Sequence, residues 1–260
     1  MSEQSYINQK VPEQLSIQPV GFLRPFIWLA YAWQDLLRHP IASLAYGFAV
    51  SALLLVIFFV TSLNIYVIVA SISGFMLIGP IMAAGLCELS RRNENDEAVG
   101  FDESIDGLQH CQSSLTRFAG ILLGFSALWF LLSGLVLSLT VGDIAPPLDQ
   151  TMWGNFLTLV TPSQLLLYAI VGGILACVAF VVSVVSVPAI IDNSLPSADA
   201  MAVSFKATLD NLPTMLLWAF LIVLLSAVGF VTFLIGMIII YPLLGHATWH
   251  AYRDIVNNQA

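Results

Sequence analysis

The amino-acid sequence predicts an all-α membrane protein with six transmembrane helices. Hydrophobic residues make up 58% of the 260 residues and charged residues only 9%, whereas soluble domains contain roughly 45–50% apolar and about 25% charged residues. A bilayer is spanned by about 20 apolar residues, so a chain of this length has room for six spans with short connections. The eight Lys and Arg residues form no basic stripe, which argues against a nucleic-acid partner.

Three segments carry apolar residues at helical spacing between polar ones, which predicts amphipathic helices at the membrane interface. The apolar stripes consist of Phe26, Leu29, Trp33 and Leu36 or Leu37 in the first segment, of Phe101, Ile105, Leu108, Cys111 and Leu115 in the second, and of Ala198, Met201 or Ala202, Phe205 and Leu209 in the third. Aromatic residues such as Trp33 favour the interface between lipid and water. We therefore expect three interfacial helices.

Each interfacial segment is followed by apolar sequence that is long enough for two spans. The predicted hairpins cover residues 41–89, about 118–191 and 212–245. The third stretch exceeds one span by more than ordinary tilt explains, since transmembrane helices tilt by about 20° on average. Gly229 and Gly236 offer a break within it. We therefore predict two helices in this stretch.

The basic residues predict the orientation of the chain. With six spans and the N-terminus inside, every Lys and Arg residue falls on the cytoplasmic side, as the positive-inside rule requires. These residues are Lys10, Arg24, Arg38, Arg91, Arg92, Arg117, Lys206 and Arg253. A single span over 212–245 would move Arg253 alone to the outside. Both termini are therefore predicted to be cytoplasmic.

The order of interfacial helix, span and span occurs three times, which predicts parallel repeats over roughly 20–89, 94–191 and 197–256. The three repeats form one predicted membrane domain (20–256), which follows a polar tail (1–19). Each even-numbered span carries a proline, which is expected to kink its helix because it leaves the carbonyl four residues earlier without its usual partner. These prolines are Pro80, Pro188 and Pro242. A chance scatter of prolines is the alternative explanation.

Four ionisable residues form a candidate polar cluster at the cytoplasmic ends of the even spans: Glu88, Asp192, His246 and His250. The two histidines stand four residues apart and share a helix face, a spacing that a metal or haem iron can use. Two ligands do not define such a site, so no metal and no cofactor is predicted. A pseudo-threefold bundle would bring Asp192 and His246 together as an ion pair. A structural role, a proton or solute pathway and a metal or haem site all remain open.

Three stretches of the sequence resemble an uncharacterised bacterial integral-membrane family, the domain-of-unknown-function family 2189. They are GPIMAAGLCELSRR, SVPAIIDNSLPSADAMAVSFKATLDNLPTMLLWA and GMIIIYPLLGHATWHAYRDIV, within a similarity over roughly residues 25–256. The resemblance implies a location in the bacterial inner membrane, but no activity and no functional residues. Some relatives carry a cytochrome c oxidase label, which would imply an accessory role beside a respiratory complex.

The sequence contains no catalytic fingerprint, such as a nucleophile elbow, a zinc-protease motif or a phosphate-binding loop. We therefore expect a protein that is not an enzyme. The first hypothesis is a scaffold or assembly factor that binds other membrane proteins, or further copies of itself, within the lipid bilayer. The alternative is a carrier of protons or small solutes with its site near Asp192 and His246.

Overall fold

The computed structural model describes residues 15–61, 82–141 and 162–258, most of which are helical. The helices are α1 (Arg24–Arg38), α2 (Pro40–Thr61), α3 (82–94), α4 (Phe101–Gly107), α5 (Gln112–Val141), α6 (Pro162–Ser183), α7 (Ser186–Asn193), α8 (Ser197–Asp210), α9 (Leu212–Val231) and α10 (Met237–Ile255). A 3-10 turn, Leu108–Cys111, joins α4 to α5. Two three-residue strands, β1 (Leu15–Ile17) and β2 (Val256–Asn258), are an addition that the sequence did not predict.

Four helical segments in the described part of the chain are long and apolar enough to cross a membrane. They are Pro40–Ile57, Phe101–Leu132, Ala169–Asn193 and Leu212–Val231. The predicted class of an all-α membrane protein is thus supported by both helix content and helix length. Residues 62–81, which include Pro80, lie outside the described residues, as does the segment 142–161.

The long apolar stretch near the C-terminus is divided into two helices, as predicted. α9 ends at Val231, and α10 begins at Met237 after a five-residue turn over 232–236. Phe233 and Leu234 in this turn have positive φ angles of 52° and 67°, a conformation that non-glycine residues seldom adopt. The turn reverses the chain closely enough that a Cβ on Gly229 would lie 2.3 Å from the Met237 sulfur.

Prolines mark two further corners of the chain. His39, the residue before Pro40, leaves the helical region with φ −130° and ψ 62°, because a following proline disfavours the helical conformation. This corner separates α1 from α2. Between α6 and α7 the helix is interrupted by a turn at Val184 and Val185. The interruption lies one turn before Pro188, where the helix loses a backbone donor.

Pro242 lies inside α10, which runs through it without interruption. Since proline has no N–H, the carbonyl of Ile238 lacks its intrahelical partner. Gly47 of α2 packs against this carbonyl, so closely that a Cβ on Gly47 would lie 2.0 Å from the Ile238 oxygen. The absence of a side chain at residue 47 therefore permits α2 to contact α10 at the carbonyl that Pro242 leaves free.

Contacts group the described residues into two units. One contains residues 15–51, 82–118 and 180–258, and the other contains 52–61, 119–141 and 162–179. In the first unit α10 packs along α1 and also contacts α7 and α9. Its largest fully buried side chains are Trp28, Trp218, Trp249, Tyr252 and Phe118. The C-terminal helix is therefore central to the first unit.

The two ends of the described chain are joined within the first unit. β1 pairs antiparallel with β2, with Ser16 opposite Asn257. The backbone N–H of Gln18 donates to the Ile255 carbonyl at 2.7 Å. Asp254 accepts from the Trp28 indole at 2.8 Å and forms a two-point ion pair with Arg24. Residues 15–17, predicted to belong to a polar tail, are thus part of the folded structure.

α1 and α8 bury faces other than the predicted apolar stripes. The buried residues of α1 are Pro25, Trp28, Ala32, Asp35 and Leu36, and those of α8 are Ser197, Ala200, Val203, Ser204, Ala207 and Thr208. Small side chains predominate on the buried face of α8, which permits close helix packing. Asp35, which lies outside the predicted apolar stripe of α1, is inside the protein.

Candidate functional site

Six polar side chains from four helices form a connected group that we call the Asp35 network. It comprises Asp35 of α1, Ser43 of α2, Ser90 and Asn93 of α3, and His246 and His250 of α10. α3 contributes residues three apart and α10 residues four apart, so each pair shares one helix face. Asp35, Ser43, Ser90 and His246 are buried. The network therefore links four helices through polar contacts inside the protein.

Asp35 is the central acceptor of this network. Its Oδ2 accepts hydrogen bonds from Ser90 Oγ at 2.7 Å and His250 Nε2 at 2.9 Å, and its Oδ1 accepts one from Asn93 Nδ2 at 2.8 Å. Burial by itself raises the pKa of Asp35, but the hydrogen bonds from His250 and Ser90 and the nearby imidazoles outweigh it. The net pKa lies below the usual value, so the carboxylate is charged at neutral pH.

The contacts of His246 determine which ring nitrogen carries a proton. Ser90 donates its hydroxyl proton to Asp35, so it can only accept from His246 Nδ1, which lies 2.7 Å away. Nδ1 is therefore protonated. The other nitrogen, Nε2, lies 2.9 Å from Ser43 Oγ. A hydrogen-bonded path thus runs from Ser43 through His246 and Ser90 to Asp35.

Glu88 belongs to a separate group. Its side chain has no exposed surface, and it accepts two hydrogen bonds from Arg91, at 2.7 and 2.8 Å, and one from Arg92 at 2.9 Å. The bond to Glu88 raises the pKa of Arg91. Gly107 packs directly against the Glu88 carboxylate, since a Cβ on Gly107 would lie 2.2 Å from Glu88 Oε1. Glu88 is thus paired with two arginines of its own helix.

Asp192 belongs to a third group, at the end of α7. Its Oδ2 accepts from the Tyr252 hydroxyl at 2.8 Å and lies 3.6 Å from Arg253. Arg253 also donates to Glu94 of α3 at 3.0 Å. Asp192 forms neither a hydrogen bond nor an ion pair with His246, and both side chains are described. The expected ion pair between them is therefore absent, because each has other partners.

The structure thus divides the four predicted cluster residues among three groups. His246 and His250 belong to one group, as their shared face predicted, while Glu88 and Asp192 belong to two others. Sequence reasoning missed Asp35, Ser43, Ser90 and Asn93. A signal for Asp35 did exist, since Trp28, Ala32 and Asp35 follow the spacing of one helix face. No equivalent signal marked the two serines.

The described residues contain no group of three or more His, Cys, Asp or Glu side chains placed to hold a metal ion. In the Asp35 network both nitrogens of His246 contact serines, and the Asp35 oxygens accept from Ser90, His250 and Asn93. The arrangement is suited to joining helices.

Four apolar helical segments of spanning length define a multi-pass integral membrane protein of the helical class. The family model of the domain-of-unknown-function family 2189, described as "predicted integral membrane protein", matches residues 67–192. The resemblance inferred from the sequence is thereby confirmed over residues 67–192, and its predicted extension to residue 256 stays a prediction. The comparison with curated proteins gives no match, and the comparison with solved structures gives none either.

Proposed function

We propose that this protein is a non-enzymatic, six-span protein of the bacterial inner membrane that binds or helps to assemble other membrane proteins. The observation that carries the proposal is the internal pairing of its buried charges. Among the described residues the buried Asp, Glu, His, Lys and Arg side chains are Asp35, Glu88 and His246, and each binds other side chains of the chain. A site for a substrate needs polar groups that converge on an open pocket. We therefore expect the protein to bind its partners through its outer surface, not through a buried polar site.

Contacts between the ends of the hairpins support the proposed six spans. Ser43, at the start of α2, and Ser90, in α3, lie against the two nitrogens of one imidazole. The chain between them must leave one membrane face and return to it, which requires an even number of crossings. Ser114 and Ser197 lie on either side of the second hairpin, and Ser197 donates to the Ser114 carbonyl at 2.7 Å. By the same argument the second hairpin has an even number of crossings.

The third hairpin is supported in the same way. Asn211, just before α9, donates to the Gln18 carbonyl at 3.2 Å. The Gln18 amide in turn donates to Ile255, the last residue of α10. Both ends of this hairpin therefore lie beside one segment of chain, which favours two spans over one. Arg253 then stays on the same side as the other basic residues, in accord with cytoplasmic termini.

Cysteine labelling tests this topology. Ser2→Cys, Asp149→Cys and Gln259→Cys are made singly in a variant without Cys87, Cys111 and Cys177, and intact cells are treated with an impermeant thiol reagent. We expect reaction at residue 149 alone, and reaction at all three after the membrane is opened. Labelling of residue 259 in intact cells would exclude an even number of spans with a cytoplasmic N-terminus.

Purification of the tagged protein in mild detergent tests partner binding. Cross-linking in intact cells, followed by purification in two unrelated detergents, is expected to recover the same membrane proteins in a fixed ratio to the chain. An unrelated tagged six-span protein at equal abundance serves as the control. Recovery of a monomer or homo-oligomer without a partner, in both detergents and after cross-linking, would contradict the proposed function.

A further inference from the structure

α1 has three distinct faces. Trp28, Ala32 and Asp35 are buried against the protein, mainly against α10. A second face carries Phe26, Trp33 and Leu37, which are seven and four residues apart and therefore share one side of the helix. These three side chains are 52%, 45% and 59% exposed. A third face carries the polar residues Arg24, Gln34 and Arg38, together with Ile27 and Tyr31.

α8 has the same three faces. Its buried face consists mainly of small residues, among them Ala200, Ser204 and Ala207. A second face carries the apolar residues Ala198, Ala202, Phe205 and Leu209, all of them exposed or half-buried. A third face carries the charged residues Asp199, Lys206 and Asp210. The same division therefore occurs twice, although the two sequences share no motif.

The apolar face of each helix continues into the exposed surface of the following candidate span. Leu37 of α1 is followed by Ile41 and Phe48 of α2, which are also exposed. Leu209 of α8 is followed by Leu212 and Leu216 of α9 in the same way. Exposed apolar side chains on a spanning helix face lipid. The lipid that covers the exposed faces of α2 and α9 can therefore also cover the apolar faces of α1 and α8, which precede them.

From this continuity we infer that α1 and α8 lie in the plane of the membrane interface, with these apolar faces inserted into one leaflet of the bilayer. Helices with an apolar face and a charged face bind the boundary between headgroups and acyl chains. Trp33 has the amphipathic ring that this boundary favours, and Arg38 can extend its guanidinium to the headgroups while its stem stays apolar. The lipid surface thus acts as a binding partner of both helices.

Spin labelling in phospholipid vesicles tests the inference on adjacent residues. Single cysteines replace Trp33 and Leu209 on the apolar faces, and Gln34 and Asp210 serve as the matched controls on the polar faces. All four residues are exposed, so the core is unchanged. Each nitroxide is then measured for collisions with oxygen, which dissolves in lipid, and with a water-soluble nickel chelate.

Labels at residues 33 and 209 are expected to have a ratio of oxygen to nickel collisions several-fold higher than labels at residues 34 and 210. A ratio equal to that of the neighbouring polar residue would mean that the apolar faces contact water, which overturns the inference. Protection of residues 33 and 209 from both reagents would also overturn it, because a second copy of the chain would then cover these faces. Both results are independent of whether a partner protein exists.

Discussion

Asp35→Ala is expected to reduce the free energy of unfolding by about 3–5 kcal/mol, the typical cost of removing one member of a buried charged group. The substitution leaves Ser90, His250 and Asn93 without the acceptor to which all three donate. It also opens a space between α1, α3 and α10. Thermal unfolding of the purified protein in a mild detergent, followed by circular dichroism, measures the loss.

Gln34→Ala provides the matched control, since residue 34 is the adjacent, exposed position of the same helix. We expect its unfolding temperature to equal that of the unchanged protein. Asp35→Asn keeps the shape of the side chain but removes the charge, and should fall between the two. Equal unfolding temperatures for Asp35→Ala and Gln34→Ala would show that the Asp35 network does not stabilise the fold.

The pH dependence of these variants provides an independent measurement. The pKa of Asp35 is lower in the folded protein than its usual value because hydrogen bonds from His250 and Ser90 stabilise the carboxylate. As the pH falls, Asp35 is therefore protonated at a higher pH in the unfolded chain than in the folded protein. The contribution of Asp35 to the free energy of unfolding is fully present above the unfolded pKa of about 3.9. It is lost as the pH falls through the folded pKa. The difference in stability between the protein and Asp35→Asn should therefore shrink below about pH 4.

The helices could be predicted from the sequence because membrane helices leave strong signals. Length, apolarity and the side of the membrane expected for Arg253 predicted a division of the C-terminal stretch, with Gly229 and Gly236 as the break, and the structure places its turn at 232–236. Proline chemistry explained the interruption before Pro188 in the same way. These features depend on neighbours along the chain. A single sequence therefore contains all the information needed to predict them.

The polar groups could not be predicted, because their members come from different helices. The pseudo-threefold bundle predicted from the repeats would have brought Asp192 and His246 together, but a repeat in the sequence does not determine which side chains are adjacent in space. Asp192 instead binds Tyr252 and Arg253, which lie further along α10. His246 binds Ser43 and Ser90, and nothing in the sequence distinguishes these two serines from the other serines of the apolar helices. Which helix contacts which was the missing information.

Gly47→Ala is expected to destabilise the protein strongly, because α2 and α10 are in contact at residue 47. The new Cβ would lie 2.0 Å from the Ile238 carbonyl oxygen, a backbone atom that cannot rotate away. Overpacking of this kind costs about 1–3 kcal/mol and occasionally more, since the two helices must move apart. Their separation would also withdraw Ser43 of α2 from His246 of α10.

Gly120→Ala is the matched control, because Gly120 also lies within a candidate span. A Cβ on Gly120 meets nothing within 4 Å among the described residues. Its expected effect is neutral or slightly stabilising, since alanine favours a helix over glycine by up to about 1 kcal/mol. Thermal unfolding of both variants in the same detergent measures the difference. If Gly47→Ala unfolds at the same temperature as Gly120→Ala, close contact between α2 and the carbonyl freed by Pro242 is not part of the fold.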